Sequence, residues 1–371
     1  MLPELESGGV ERGTLEMGKH LASSGHHSFV ISGGGRMVKQ LEQEGSRHIK
    51  WAVGSKGPRS LGYLQPLRKL LLNEKIDVLH LRSRMPAWIG YSAWLSLPKK
   101  KRPLLVTTFH GFYSVNVYSG IMTKGDCVVA VSESIKEHIS RHYKVRGKLR
   151  TIFRGVDRSI FNPEIVDDKR VRYLQNLWGI KKGIPVVMLP GRLSRIKGQD
   201  IFLKSLLNIK KKPFQAIMVG DCHEGNGFVI ELKNFIRQNG LDESVKLVGH
   251  CQDMPAAYLL SDFIVSASSK KPEAFGRTII EAMAMGKPVI ATAHGGSVET
   301  VLHGKSGWLV EPSNSDELGR KIEEILGCTE YLRQVGSVGM KRVQQCFSTE
   351  SMCDNTLGLY KEMLEEKSLQ M

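Results

Sequence analysis

The chain has 371 residues, 53 of them Lys or Arg and 37 Asp or Glu, for a formal net charge of +16. That length admits two domains of ordinary size, each with its own core. No run approaches the roughly 18 apolar residues needed to cross a bilayer, and Glu4 and Glu6 stand where a signal peptide would carry basic residues, so neither an integral nor a secreted protein is expected.

The charge is lopsided. Residues 1–160 hold 26 basic and 12 acidic side chains, a net +14, which leaves only +2 for the remainder. Such asymmetry points to an anionic surface or substrate, with nucleic acid, acidic lipid and phosphorylated glycan as candidates, or to a generic basic surface. Six cysteines, Cys127, Cys222, Cys251, Cys328, Cys346 and Cys353, form no C-x-x-C pair, and several lie in apolar runs, which suits reduced thiols in a cytoplasm. Twelve histidines are scattered without a metal-ligand spacing, so no metal is expected.

The first element is a glycine loop, Gly8-Gly9-Val10-Glu11-Arg12, preceded only by Met1 and Leu2 before Pro3. Its amides could meet phosphates, or it could be a plain strand-to-helix turn. Short β-rich runs then alternate with amphipathic segments at 29–32, 49–53, 78–81, 104–108, 127–131 and 149–153, a cadence that predicts a parallel sheet with crossover helices. Within it, Trp88, Tyr91 and Trp94 recur near helical spacing ahead of Lys99-Lys100-Lys101-Arg102. Aromatics beside a basic cluster suit a membrane interface, while the plainer reading is a crossover helix with a solvated turn. His110 sits just beyond an apolar strand, where ligand-facing residues of such sheets lie, or serves as a hydrogen-bonded structural residue.

Between 154 and 183 the chain is polar and carries Pro163, which predicts a linker. A second alternation follows at 186–189, 216–219, 245–247, 263–266, 289–291 and 308–310, so a second Rossmann-like domain is expected. Pro190-Gly191-Arg192-Leu193-Ser194-Arg195-Ile196-Lys197-Gly198 combines a guanidinium fork, an ammonium and two glycines that allow the loop to fold back on an anion. Val248-Gly249-His250 closes another strand. In Glu273-Ala274-Phe275-Gly276 and the following run to Glu281, two carboxylates bracket a glycine turn and a helix start. The helix N-terminus suits phosphate oxygens, and the two carboxylates suit sugar hydroxyls.

These stretches resemble glycosyltransferase family 4, retaining enzymes of GT-B fold. The run from Glu273 to Thr292 with Gly295-Gly296 and Glu299 is similar to its C-terminal signature, the Arg192–Lys197 loop to its diphosphate-binding element, Ile152-Phe153-Arg154-Gly155-Val156-Asp157 with Phe161 and Pro163 to its interdomain turn, and Gly8-Gly9 to its N-terminal loop. The resemblance implies an α/β fold with two Rossmann-like domains whose parallel sheets face a central cleft. Expected divisions are an acceptor domain over 1–160, a linker over 161–183, a donor domain over 184–347, and a helix at 348–371 that crosses back to the first domain. The family's glycine loop follows a full mid-sheet strand; its absence here would leave neighbouring ladders unpaired.

The implied reaction moves a hexose from a nucleotide-diphosphate sugar to a glycan or lipid-linked acceptor, as in lipopolysaccharide or envelope polysaccharide synthesis. The implied catalytic set is His110, Arg192, Lys197 and Glu273. Donor contacts would come from Gly8, Gly9, Arg192, Lys197, Val248, Gly249, His250, Glu273, Ala274, Phe275, Gly276 and Glu281. No Asp-x-Asp motif occurs, which suits a metal-independent transferase with no cofactor beyond its nucleotide-sugar co-substrate. A cytoplasmic protein, peripheral at the inner membrane, is expected. A glycoside hydrolase could also use paired Glu side chains, but has no need of Arg192 and Lys197. A sugar-nucleotide epimerase of the same fold remains open. Nucleic acid is not an expected partner, because no zinc-finger spacing, RNP-like strand or basic heptad accompanies the charge.

Overall fold

A computed structural model describes residues 1–6, 8–55, 57–209, 212–221 and 227–369, so Cys222 lies outside the described residues. The chain forms two compact units: Met1–Arg154 together with Thr349–Met371, and Gly155–Ser348.

All twelve expected strands form. In the first unit they are β1 (Phe29–Ser32), β2 (Arg47–Lys50), β3 (Val78–Leu81), β4 (Leu104–Phe109), β5 (Cys127–Ala130) and β6 (Lys148–Thr151). The second strand differs most from expectation, ending at Lys50 rather than 53. Its register against β1 closes at Ser32↔Lys50, and the chain then turns, with Val53 fully buried as an anchor outside the ladder. The pairs are all parallel but make two sheets, β1-β2 and β3-β4-β5-β6. Residues 1–3 span the interval: Leu2 N donates to Ile31 O and Gly33 N to Pro3 O on one side, while Met1 N donates to His80 O and Arg82 N to Met1 O on the other. Beyond this short stretch the facing edges of β1 and β3 border an apolar groove of about 440 Å³, lined in part by Met17, Val30, Leu71, Leu79 and Leu364.

Separate apolar clusters follow from that division. Leu2, Leu5, Leu15, Val30 and Leu41 pack on the β1 side. Leu104, Val106, Cys127 and Val129 pack with Met352, Cys353, Leu359, Tyr360 and Met363 of the last helix, Thr349–Leu369. Helical spacing of those buried residues lays one stripe of the helix on this unit, and it also contacts the helix Gly9–Ser23 and β4. Cys127 and Cys353 are buried thiols, pushed up by burial to about 11 and about 12, so both behave as small apolar groups.

The second unit is one six-stranded parallel sheet in the order β12-β11-β10-β7-β8-β9, with β7 (Val186–Pro190), β8 (Gln215–Val219), β9 (Val245–Gly249), β10 (Phe263–Ser266), β11 (Val289–Thr292) and β12 (Gly307–Val310). Every residue of β7, β8, β10 and β11 is buried, as expected of strands covered by helices on both faces. Chain order reverses between β7 and β10, and ligands of such sheets bind beyond the strand ends at that point. Residues 161–183, expected as a linker, hold a helix at Asp168–Leu177 that packs on Met254–Leu260. Arg170 grips Asp253 there with two parallel hydrogen bonds of 2.8 and 2.7 Å.

No helix among the described residues is long and apolar enough to cross a membrane. In the helix Arg84–Leu95, Trp94 is buried, donates to Pro103 O at 2.8 Å, and lies under the Arg102 guanidinium 4.5 Å from its ring centre. Trp94 is therefore a core residue, Trp88 is 36% exposed, and Lys99–Lys101 form an exposed turn.

Candidate active site

In the second unit the site grows from the ends of β7 and β10, on either side of the switch point. β7 leads into Gly191, whose N–H donates to Val219 O at 2.8 Å, and then to the exposed Arg192. The loop must bend back within seven residues. Gly198 makes this possible: its φ is +72°, and a Cβ there would lie 1.8 Å from Ala267 O. Gln199, fully buried, staples the loop by donating from Nε2 to Arg192 O at 3.1 Å while its Oε1 faces Ser194 N at 3.4 Å. Buried glutamines carry no motif, so this staple was invisible in the sequence.

The fold-back brings Lys197 to Glu273. Their ammonium and carboxylate form an ion pair, and the Ser268 hydroxyl donates to the same carboxylate oxygen at 2.6 Å. Burial alone would push the Glu273 carboxyl up. Lys197 by charge and hydrogen bond, Ser268, and the nearby His294 outweigh it, holding Glu273 below the usual carboxylate range. Its backbone is pinned as well, since Gly296 N donates to Glu273 O at 2.8 Å and a Cβ on Gly295 would meet that oxygen at 2.3 Å. The Gly295-Gly296 pair thus fits the chain against the glutamate from behind.

Gly276, at φ +91°, turns the chain into the helix Arg277–Ala284, so a helix start follows Glu273 directly in the chain. Ile279, Ile280, Met283 and Ala284 bury its apolar side. Glu281 interrupts that side because it has partners: the Tyr258 hydroxyl at 3.1 Å and Arg277 Nε at 3.8 Å. Tyr258 is fully buried and escaped sequence reading because an apolar run masks it. Phe275 differs from the expected donor contact. Its ring is buried edge-on to Phe347 at 5.5 Å, so at Phe275 only main chain is left to face a ligand. Val248 and Gly249 end the edge strand β9, where Gly220 N donates to Gly249 O at 2.8 Å, and His250 Nδ1 lies 3.1 Å from Asp221 on the exposed rim.

The first unit holds the other expected residues. Gly8, at φ +133°, caps the helix Gly9–Ser23, but the Glu11 carboxylate folds back to within 2.6 Å of where a Gly8 Cβ would be. Burial raises the Glu11 carboxyl above its ordinary range, a shift that backbone N–H groups of Glu11 and Val10 only partly oppose. A side-chain carboxylate thus occupies the place at this helix start where an external anion was expected.

His110 follows β4, and its Nδ1 lies 2.6 Å from Arg154 Nη2. A guanidinium only donates, so Nδ1 must carry the lone pair and the proton resides on Nε2. Burial, then the charges of Arg154 and Arg82, hold His110 well below the ordinary histidine range. It is a neutral hydrogen-bond donor rather than an acid in waiting. Arg154 comes from the expected interdomain turn, and the division between units falls immediately after it. Among the described residues no group of three or more His, Cys, Asp or Glu is placed to hold a metal ion.

Comparison with known proteins agrees with this geometry. A profile described as "Glycosyl transferases group 1" matches residues 174–342, and one described as "Glycosyltransferase Family 4" matches residues 7–160. A solved glycosyltransferase from Rickettsia africae is 35% identical, covers 96% of each chain and superposes with a TM-score of 0.88. HepE from Anabaena, solved with UDP and glucose, is 25% identical over 96% of this chain and 97% of its own, with a TM-score of 0.82. Among curated proteins, the N-acetyl-alpha-D-glucosaminyl L-malate synthase of Bacillus anthracis is 23% identical over 95% of this chain and 93% of its own.

Proposed function

This chain is a family 4 glycosyltransferase of GT-B fold, and from that premise we propose that it moves a hexosyl group, with retained configuration, from a UDP-sugar to a hydroxyl of a glycan or lipid-linked acceptor. UDP is preferred over other diphosphates on the likeness to HepE, whose solved complex holds UDP and glucose. The observation that carries the reading is the Lys197–Glu273 ion pair beside the Gly276 helix start, at the switch point between β7 and β10.

In the proposed step the bond from the anomeric carbon to the diphosphate oxygen breaks, and its electron pair stays on that oxygen. The acceptor hydroxyl attacks from the same face, and its proton passes to the departing oxygen, leaving UDP and a glycoside. Negative charge grows on the diphosphate, where Arg192, Lys197 and the helix N-terminus offer fixed compensation without a metal. Glu273, kept ionised, orients the Lys197 ammonium and can accept from a sugar hydroxyl, while Glu281 can accept from ribose hydroxyls. His110 offers an Nε2–H to a substrate hydroxyl, a positioning role, since a neutral imidazole so far below its ordinary range does not supply a proton.

The proposed setting is envelope or lipopolysaccharide synthesis on the cytoplasmic face of a membrane. The +14 charge of residues 1–160 and the exposed Lys99–Lys101 turn support it. Calorimetric titration with UDP, GDP and ADP sugars tests the donor, repeated on Glu281→Gln and Lys197→Ala proteins. Equal affinity in all three proteins would contradict the site. Product analysis separates transfer from epimerisation, which would isomerise the sugar without consuming an acceptor.

A further inference from the structure

Two arginines meet inside the first unit, one of them the Arg154 that holds His110. Arg82 follows β3 and Arg154 follows β6, and they are 7% and 8% exposed. Both approach the helix Gly9–Ser23 at Gly13. A Cβ on Gly13 would stand 2.6 Å from Arg154 Nη1 and 3.2 Å from Arg82 Nη2, so those two nitrogens are at most 5.8 Å apart. Together with His80, Thr108 and Met352 they line a cavity of about 20 Å³.

Arg154 uses Nη2 on His110, whereas Nε and Nη2 of Arg82 have no hydrogen-bond acceptor among the described residues. A guanidinium does not shed its proton at any ordinary pH, and a buried cation without an acceptor is costly. The surrounding groups do not answer it. His80 is held neutral by burial and by Arg82 and Arg154, its ring engaged by the Tyr360 hydroxyl at 2.5 Å and the Thr108 hydroxyl at 2.6 Å. Tyr360 is itself pushed up by burial and stays protonated. Glu11 and Glu16 act on Arg82 through their charge from half-buried places on the helix, yet burial still dominates Arg82 and pulls it down. Arg82 Nε and Nη2 therefore remain buried donors without an acceptor among the described residues.

We propose that this cavity binds one monatomic anion, a halide such as chloride, between the Arg82 and Arg154 guanidiniums. Size makes the selection. A space of about 20 Å³ suits one small particle better than phosphate or a carboxylate with its attached chain, and water brings no charge to neutralise the pair. The bound halide accepts from Arg82 Nε and Nη2 and ties the C-terminal ends of β3 and β6 to the helix Gly9–Ser23. The site adjoins His110 through Arg154, and the proposal stands whether or not UDP is the donor.

The test uses the full chain in sodium chloride replaced stepwise by sodium gluconate at fixed ionic strength. For a millimolar site, the first melting transition should rise by about 5 °C as chloride goes from about 1 to about 100 mM. Arg82→Met should melt at a temperature that ignores the exchange. Crystals soaked in bromide should show an anomalous peak within hydrogen-bond reach of Arg82 Nε and Nη2, and this readout decides the matter alone where the variant does not fold. A wild-type transition indifferent to chloride, a response retained in Arg82→Met, or a cavity without a bromide peak overturns the proposal.

Discussion

Replacing Lys197 by Met tests the site at its centre, because it removes the cation and leaves Glu273 in place with Ser268 as its remaining side-chain donor. Two losses follow. A charge-assisted contact to diphosphate is worth about 2 kcal/mol, so the dissociation constant for UDP should rise about 30-fold. The orphaned Glu273, only 14% exposed at its side chain, should destabilise the second unit by about 2 kcal/mol; the figure is kept below that of a fully buried pair because Lys197 is 29% exposed. For a unit of this size that lowers its melting temperature by about 4–8 °C.

The pH dependence of that deficit has a definite sign. Without Lys197 the effect of burial on Glu273 wins, so its folded carboxyl titrates above the unfolded value near 4.5. A group raised in the folded state costs stability as pH rises past the unfolded value, so the deficit should shrink as pH falls towards 4.5. Lys197→Met combined with Glu273→Gln removes the orphaned charge and should recover at least half of the lost stability without recovering UDP affinity. Calorimetric titration and differential scanning calorimetry on the four proteins of this cycle measure both quantities. UDP affinity unchanged in Lys197→Met, or a double variant no more stable than the single one, would refute the reasoning.

Other consequences follow from the same geometry. His80 and His110 are buried neutral, so the unfolded first unit binds more protons below about pH 6.5 and its stability should fall as pH drops from 7 to 5; hydrogen exchange in β3 and β4 should quicken over that range, and flat rates would contradict it. Gly198→Ala should cost about 3 kcal/mol or more, since its Cβ meets main-chain oxygen at 1.8 Å, whereas Gly276→Ala should cost about 1–2 kcal/mol, its nearest neighbour being the movable end of Ile279 at 2.8 Å. Equal melting temperatures for these two variants would count against the loop geometry. Neutralising Lys99, Lys100 and Lys101 should reduce sedimentation with anionic liposomes while leaving the melting temperature unchanged; Arg102 must be spared, because it donates to Leu97 O and Leu95 O and covers Trp94. Unaltered sedimentation would remove the membrane contact from the proposal.

The alternation of strands and helices was legible, most clearly at β4, β5, β7, β8, β10 and β11, because parallel strands covered on both faces are continuous apolar runs, whereas β2 and β6 carry charged, partly exposed residues and β2 was placed too late in the chain. Arg192, Lys197, Gly198, Glu273, Gly276 and Glu281 were legible for a related reason: glycine and charge stand close together in sequence where a loop turns beyond a strand. What the sequence could not express is which loops meet. Strand order is a property of long-range pairing, and only the adjacency of β7 and β10 sets Lys197 against Glu273, 76 residues away.

The same limit hid Gln199, Ser268, Tyr258 and His294, single residues whose importance lies in a partner from another segment. It also hid the direction of Phe275, whose ring turns inward because Phe347 from a distant helix end receives it. His110 was found by position, but its proton was decided by Arg154, 44 residues away, whose guanidinium can only donate. Local periodicity and turn chemistry, then, determined the elements and the residue types at their ends. Tertiary packing decided charge state, tautomer and side-chain direction, because each depends on burial and on neighbours brought together only when the sheets close.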